Sequence, residues 1–336
     1  MGCSVSALEE DIINKKSKNN NSEEYILPEK LAKRCELTNF YKISKKVIGE
    51  GASGQVLIGE KDNKKYAIKR IRKERIKSRQ QMILEAEISL NINHRNIMNY
   101  IEIFEDFNFI NCVMELSEGG DLFDFILNYP LGHLPDDIAI DLLIQMFEVL
   151  DYLHNEKHII HRDLKPENVL IYIDEYNNPI IKLIDFGLAT YFPKDNNKLT
   201  EIVGTRAYSA PEIIEKCGYK EKIDEWAVGV IMFNMLTGYE PFVGKTPSQL
   251  KDSIRFNKIN FELIKNQELR ELDKKLLNRF VQKRISAKEA LEEINKIKNN
   301  NIPEEENEED NNIENNNNSK SEKSFIVSNR EHVLVF

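Results

Sequence analysis

Cysteine is scarce in this chain: four in 336 residues, Cys3, Cys35, Cys112 and Cys217, none at metal-ligand spacing and none in a disulfide-dense pattern. They read as reduced thiols of a cytosolic protein. No apolar run is long enough to span a bilayer, so a transmembrane helix is not expected. A basic excess is missing too, since 47 Lys and Arg stand against 56 Asp and Glu for a net charge of −9. Most of that deficit lies in residues 299–336, where nine acidic side chains face Lys320, Lys323 and Arg330. The rest is close to neutral, which argues against a broad nucleic-acid-binding face, and no nucleic acid partner is expected. What the chain does have is 41% hydrophobic residues, enough for a sizeable core. Its length suits one large two-lobed domain or two ordinary ones, plus tails.

The chemistry concentrates in one polar stretch between apolar runs, His161-Arg162-Asp163-Leu164-Lys165-Pro166-Glu167-Asn168, followed by Asp185-Phe186-Gly187. Asp163 can accept a proton from an alcohol, and Lys165 can neutralise a phosphoryl group in transfer. Asn168 and Asp185 are hard oxygen ligands of the kind Mg²⁺ takes beside phosphate oxygens. Upstream, Ile48-Gly49-Glu50-Gly51-Ala52-Ser53-Gly54-Gln55-Val56 is a glycine-rich turn. That pattern alone also fits a dinucleotide fold, but a dinucleotide fingerprint opens a helix, whereas Val56-Leu57-Ile58 reads as a second strand. A strand–turn–strand flap suits a lid over ATP phosphates.

These stretches resemble the eukaryotic protein kinase family, serine/threonine subgroup, over about Tyr41 to Leu291. In detail the match is nearest the calcium/calmodulin-dependent group and the calcium-dependent kinases of protists and plants. The resemblance implies an α+β, two-lobed fold: a small, mostly antiparallel β lobe with one main helix, and a large, mostly α lobe. It implies ATP and Mg²⁺ as cofactors. Lys69 of Tyr66-Ala67-Ile68-Lys69 would hold the α- and β-phosphates. Its partner would be Glu85, nine residues before His94, with Glu87 as fallback. Nucleotide contacts would come from Ile48 to Val56, Ala67, Met114 as gatekeeper, Glu115 and Ser117 at the hinge, Asp121 and Leu170. Asp163 with Lys165 would be catalytic, and Asn168 with Asp185 would hold metal. Asp121, Glu167 and Thr205 would face a protein substrate, favouring basic residues before the phosphorylated site. Glu201 occupies a position where many of these kinases carry a phosphothreonine, and it would pair with Arg162; neighbouring Thr200 keeps phosphorylation open as an alternative. Asp224 would brace the catalytic stretch, and Glu212 would pair with Arg284.

Two features depart from that pattern. The run from Leu276-Leu277 to Arg284 is short and lacks the usual Asp-Pro, so a trimmed end of the large lobe is expected. No D-x-[DN]-x-[DN]-G-x₅-E loop occurs, so direct calcium sensing by this chain is not expected.

The start, Met1-Gly2-Cys3-Ser4-Val5-Ser6, fits N-myristoylation at Gly2 with palmitoylation at Cys3. One myristoyl chain binds membranes with only about 10⁴ M⁻¹, so a second acyl group makes physical sense. The expected organisation is a lipidated extension over 1–40 with a short helix near Pro28 to Cys35, a kinase domain over 41–298 (small lobe 41–116, large lobe 117–298), and a disordered Asn/Glu-rich tail over 299–336. The expected protein is a monomer, cytoplasmic and peripheral to a membrane. The rival reading is a pseudokinase scaffold that binds nucleotide and partners without transfer.

Overall fold

A computed structural model describes residues 25–300, apart from 52, 53, 118, 195 and 196. Strands β1 (Lys42–Gly51), β2 (Gly54–Lys61), β3 (Lys64–Arg72), β4 (Glu102–Glu105) and β5 (Phe109–Glu115) form one antiparallel sheet in the order β1-β2-β3-β5-β4. The β2–β3 hairpin turns at Asp62-Asn63, with φ of 53° and 61°. This is the left-handed pair whose twist matches the flanking strands. The register then pairs Lys69 with Cys112 and Ala67 with Met114.

Helix α1 (Arg79–Asn91) shares the small-lobe core with this sheet through Met82 and Ala86. Ser78 caps it, its side chain accepting from Gln81 N at 3.2 Å. Met82, Glu85, Ala86 and Ser89 are buried together, the i, i+3, i+4, i+7 face of a helix. Glu85 therefore points inward, while Glu87 pairs with Lys30 at 3.3 Å on the outer side.

Residues 28–35 do not form the expected helix; Leu31 N and Ala32 N both bond Pro28 O, and the turn stops there. Other partners take up the backbone groups of this segment. Glu105, fully buried, accepts from Ile26 N at 2.6 Å and Leu27 N at 2.9 Å and pairs with Lys73 at 2.9 Å. Lys33 exchanges backbone bonds with Ile103 and Glu105 of β4, and Leu27 and Ala32 join the small-lobe core.

The large lobe holds α2 (Leu122–Leu127), α3 (Asp136–Asp151), α4 (Pro211–Ile214), α5 (Lys222–Thr237), α6 (Pro247–Phe256), α7 (Gln267–Leu276) and α8 (Ala287–Asn300). Helix α5 is buried along nearly its whole length and packs on α3 and α7. Helix α3 ends at Asp151 and continues as a π turn over Tyr152–Glu156. Within that turn the His154 ring lies 3.0 Å from Asp224 and 3.3 Å from Glu225. Burial alone would lower the His154 pKa, but the Glu225 and Asp224 carboxylates push it up to about 10.

Short strands carry the catalytic stretch: β6 (Ile159–Ile160) precedes it, β7 (Val169–Ile173) follows, β8 (Pro179–Leu183) returns beside β7, and β9 (Thr190–Tyr191) pairs with β6. The β7–β8 turn uses Asn177 at φ 66°. Among the described residues no helix is long and apolar enough to cross a membrane.

Candidate active site

Strand β3, helix α1 and the end of β8 deliver three charges to one point. Lys69 Nζ lies 2.9 Å from Glu85 Oε1 and 3.0 Å from Asp185 Oδ1. Burial alone would lower the Lys69 pKa, but the Asp185 and Glu85 carboxylates raise it, so the ammonium persists. Burial pushes the Asp185 carboxyl up, and Lys69 more than offsets this, holding it below the usual carboxylate range. Phe186 is buried with its ring 5.0 Å from that of His161. Arg162 and Asp185 adopt φ of 69° and 62°. Side chains disfavour that region by roughly 1–3 kcal/mol, so the surroundings must hold it. Asp224, from α5, accepts from His161 N at 2.8 Å and Arg162 N at 3.0 Å.

Asp163 collects the next group. Its Oδ1 accepts from Thr205 N and Oγ1, both at 2.8 Å, and Lys165 Nζ lies 3.5 Å from its Oδ2. Gly204 makes this approach possible: at φ 89°, a Cβ there would sit 2.4 Å from Arg162 O. Asn168 Nδ2 donates to Asp163 O at 2.8 Å, so the amide oxygen is the atom left for a ligand. Among the described residues no three His, Cys, Asp or Glu side chains converge as a closed metal site. Two oxygen donors, Asn168 and Asp185, fit Mg²⁺, which commonly completes its shell with water and substrate phosphate oxygens.

The apolar part of the site spans both lobes. Val56, Ala67, Met114, Leu170 and Ile184 share one buried cluster, with Ile48 and Leu116 against it. Above it, β1 and β2 close through Glu50–Gln55 and Gly51–Gly54 pairs, and Gln55 Nε2 reaches Glu50 Oε1 at 3.2 Å. Gly49 pairs with Val56 in the same ladder. Ala52 and Ser53 lie outside the described residues. Glu115 ends β5 and pairs with Lys182 at 2.6 Å; Ser117 follows at the crossing between lobes. Asp121 caps α2, accepting from Asp124 N at 2.8 Å, and α2 packs on the Pro166–Asn168 turn that carries Glu167.

Residues 188–209, the activation segment, are tied from both lobes. Arg162 Nη1 meets Glu201 Oε2 at 2.6 Å, and Arg162 Nε donates to Leu188 O at 2.6 Å. Thr200, beside Glu201, is exposed. Gln81 of α1 donates to Gly187 O at 2.9 Å and Ala189 O at 3.2 Å, a link no sequence motif signalled. Glu240 was equally unmarked. Burial raises the Tyr208 phenol first, and the Glu167 and Glu240 carboxylates raise it further, so both acids lie near it. Glu167 Oε2 is buried with no hydrogen-bond partner among the described residues. Arg284 meets Glu212 through two bonds of 2.6 and 3.1 Å; the short run before it still delivers the arginine. Gly2 and Cys3 lie outside the described residues.

Comparison with known proteins agrees with this geometry. The protein kinase domain model matches residues 41–294. Calcium-dependent protein kinase 3 of Plasmodium berghei (strain Anka) is 36% identical over 262 residues, covering 76% of this chain and 46% of that protein. Calcium-dependent protein kinase 5 of Plasmodium falciparum (isolate 3D7) is 34% identical over 275 residues, covering 80% of this chain and 47% of that protein. The chain thus spans about half the length of the curated relatives it matches. With the kinase-domain match running across both lobes and through every side chain of this site, the chain belongs to the protein kinase family and resembles calcium-dependent protein kinases.

Proposed function

We propose that this chain transfers the γ-phosphoryl group of ATP to serine and threonine hydroxyls of proteins, with Mg²⁺ held by Asn168 and Asp185. The observation that carries the reading is Lys69 bridging Glu85 of the small lobe and Asp185 of the large lobe. Bound Mg²⁺ supplies charge neutralisation on the phosphates. Asp163 orients the attacking hydroxyl and takes its proton as the new O–P bond forms and the bond to the leaving ADP breaks. Lys165, beside it, faces the charge on the transferring group. Ile48, Val56, Ala67, Met114 and Leu170 form the apolar bed for the base, with the backbone of Glu115 and Ser117 at its edge.

Glu167, Glu240 and Asp121 make the substrate side acidic, which favours peptides with basic residues before the phosphosite. Acylation at Gly2 and Cys3 would hold the enzyme, a monomer in this reading, on the cytoplasmic face of a membrane. The test is transfer from ATP to a basic serine/threonine peptide, with and without calcium. Asp163→Ala, folded to the same extent, should lose about 10²–10⁴-fold in kcat, and calcium should leave this chain's rate unchanged. Mg²⁺–ATP binding without transfer in the wild-type chain would favour the scaffold reading.

A second expectation concerns activation. Arg162 already has the Glu201 carboxylate as a counter-charge, so activity should not need an upstream kinase. Glu201 is solvent-exposed, and exposed ion pairs contribute about 0.2–1 kcal/mol, so Glu201→Ala should lower kcat only a few-fold. Phosphatase treatment should change nothing. Activity abolished by phosphatase but indifferent to Glu201→Ala would sink the idea and point to Thr200.

A further inference from the structure

Glu85 Oε1 accepts two hydrogen bonds, and only one comes from Lys69. The other comes from the Tyr100 hydroxyl at 2.7 Å, shorter than the 2.9 Å to Lys69 Nζ. Tyr100 lies between α1 and β4 and is 6% exposed. Its backbone N donates to Ser89 O at 2.9 Å, and its neighbour Ile101 N donates to Val113 O of β5 at 2.8 Å. Tyr100 thus bonds α1 at Ser89 through its backbone and at Glu85 through its side chain, one turn apart on the inward face. The next residue fastens the same stretch to the sheet.

Met82, Ala86, Met114 and Ile184 share its cluster, and the buried Cys112 thiol and the Asp185 carboxylate lie close to the hydroxyl. Burial, then the Glu85 charge, raises the phenol pKa well above its ordinary value, so the group stays protonated and donates. A buried hydroxyl without a partner is costly. If α1 rotated and carried Glu85 outward, Tyr100 would lose its charged acceptor and keep only the Cys112 sulfur, a weak one. The hydroxyl therefore adds free energy that favours Glu85 inward, which is how a contact shifts a two-state population.

We propose that Tyr100 is a positioning residue whose buried hydroxyl holds Glu85, and with it helix α1, in the arrangement where Glu85 meets Lys69. The inference rests on the kinase reading of this site and adds to it a group outside the lysine–acid pair. Tyr100 touches neither nucleotide nor substrate in this account; it acts through Glu85.

The experiment is a double-mutant cycle of Tyr100→Phe and Glu85→Gln, measured as kcat and KM for ATP in peptide phosphorylation. Tyr100→Phe removes one oxygen and keeps the ring, so packing is retained. In the wild-type background it should lower kcat/KM about tenfold, the scale of one buried charge-assisted hydrogen bond. In the Glu85→Gln background the same change should cost less than about twofold, because the charged acceptor is already gone. Equal fractional losses in both backgrounds, or no loss in either, would overturn the proposal. Amide hydrogen exchange supplies a readout independent of activity. In Tyr100→Phe, residues 79–91 should exchange faster while α5 exchanges as before. Should the wild-type chain transfer no phosphate, the kinase reading fails and exchange alone decides. Faster exchange confined to α1 then upholds the tether, and unchanged exchange rejects it.

Discussion

Replacing Lys69 with methionine is expected to lower kcat/KM by about 10²–10³-fold and to alter how stability depends on pH. The rate effect follows from removing a fixed positive charge aimed at developing phosphate charge in a site with little water, where one such donor typically contributes that factor. The stability effect comes from what the substitution leaves behind. Lys69 is 3% exposed and separates two carboxylates, Glu85 and Asp185. Removing one member of a buried ion pair commonly costs about 3–5 kcal/mol, because the remaining charge is uncompensated. The lower end applies here, since the Asp185 side chain is 15% exposed and water relieves part of the charge. In the wild type, Asp185 has a folded pKa below its unfolded value. It therefore stabilises the fold above the unfolded carboxylate pKa of about 4 and loses that contribution as pH falls through the lower folded value. In Lys69→Met, burial of Asp185 is opposed only by the Gly187 N–H and His161, and its folded pKa rises instead. That penalty is present at neutral pH and fades as protonation removes the charge. The gap in Tm between the two proteins should narrow on going from about pH 7.5 to about pH 5.5. A gap that stays constant over that range would mean that Lys69 does not compensate these acids.

The catalytic stretch was legible because its chemistry is local. Asp163, Lys165 and Asn168 fall within six positions, and their hydrogen bonds to one another and to Thr205 need only one turn and one returning loop. The choice of Glu85 over Glu87 follows from its spacing to His94, and α1 agrees, burying the face that holds Met82, Glu85, Ala86 and Ser89 and leaving Glu87 to Lys30. Hidden features depend on residues far apart in the chain. The failure of a helix at Pro28–Cys35 traces to Glu105, 78 positions from Leu27, which draws in the backbone N–H groups preceding the turn. The π turn that interrupts the helix after Asp151 accompanies the buried contacts of His154 with Asp224 and Glu225, again invisible in local periodicity. Gln81, Tyr100 and Glu240 carry no motif. Each matters only through the partner that the fold brings to it: the Gly187 carbonyl, the Glu85 carboxylate, and the acidic surroundings of Tyr208.

Arg284→Ala is expected to destabilise the chain by about 3–5 kcal/mol, and at about 2–4 °C per kcal/mol for a domain of this size Tm should fall by roughly 6–20 °C. The side chain is completely buried. Two of its nitrogens grip Glu212, Nη1 also donates to Lys222 O at 2.7 Å, and Nε donates to Asn278 O at 3.1 Å. Its guanidinium carbon sits 5.0 Å from the centre of the Trp226 ring. Truncation would leave the Glu212 carboxylate and two carbonyls without these donors. Arg284→Lys should recover little, because a single ammonium cannot reproduce a planar fork with bonds in three directions. Replacing both partners, Glu212→Leu with Arg284→Met, should recover more than half of the loss, since no buried charge then remains. A double variant as unstable as Arg284→Ala would instead assign the loss to packing against Trp226. The outcome bears on the short run from Leu277 to Arg284. The arginine reaches across it to Asn278 O and holds Lys222 O at the start of α5 and Glu212 just after the activation segment. The same side chain thus fixes the end of the loop that places Thr205 beside Asp163. Arg284→Ala should therefore show faster amide exchange in residues 205–214 even well below its Tm, where the large-lobe core is still folded.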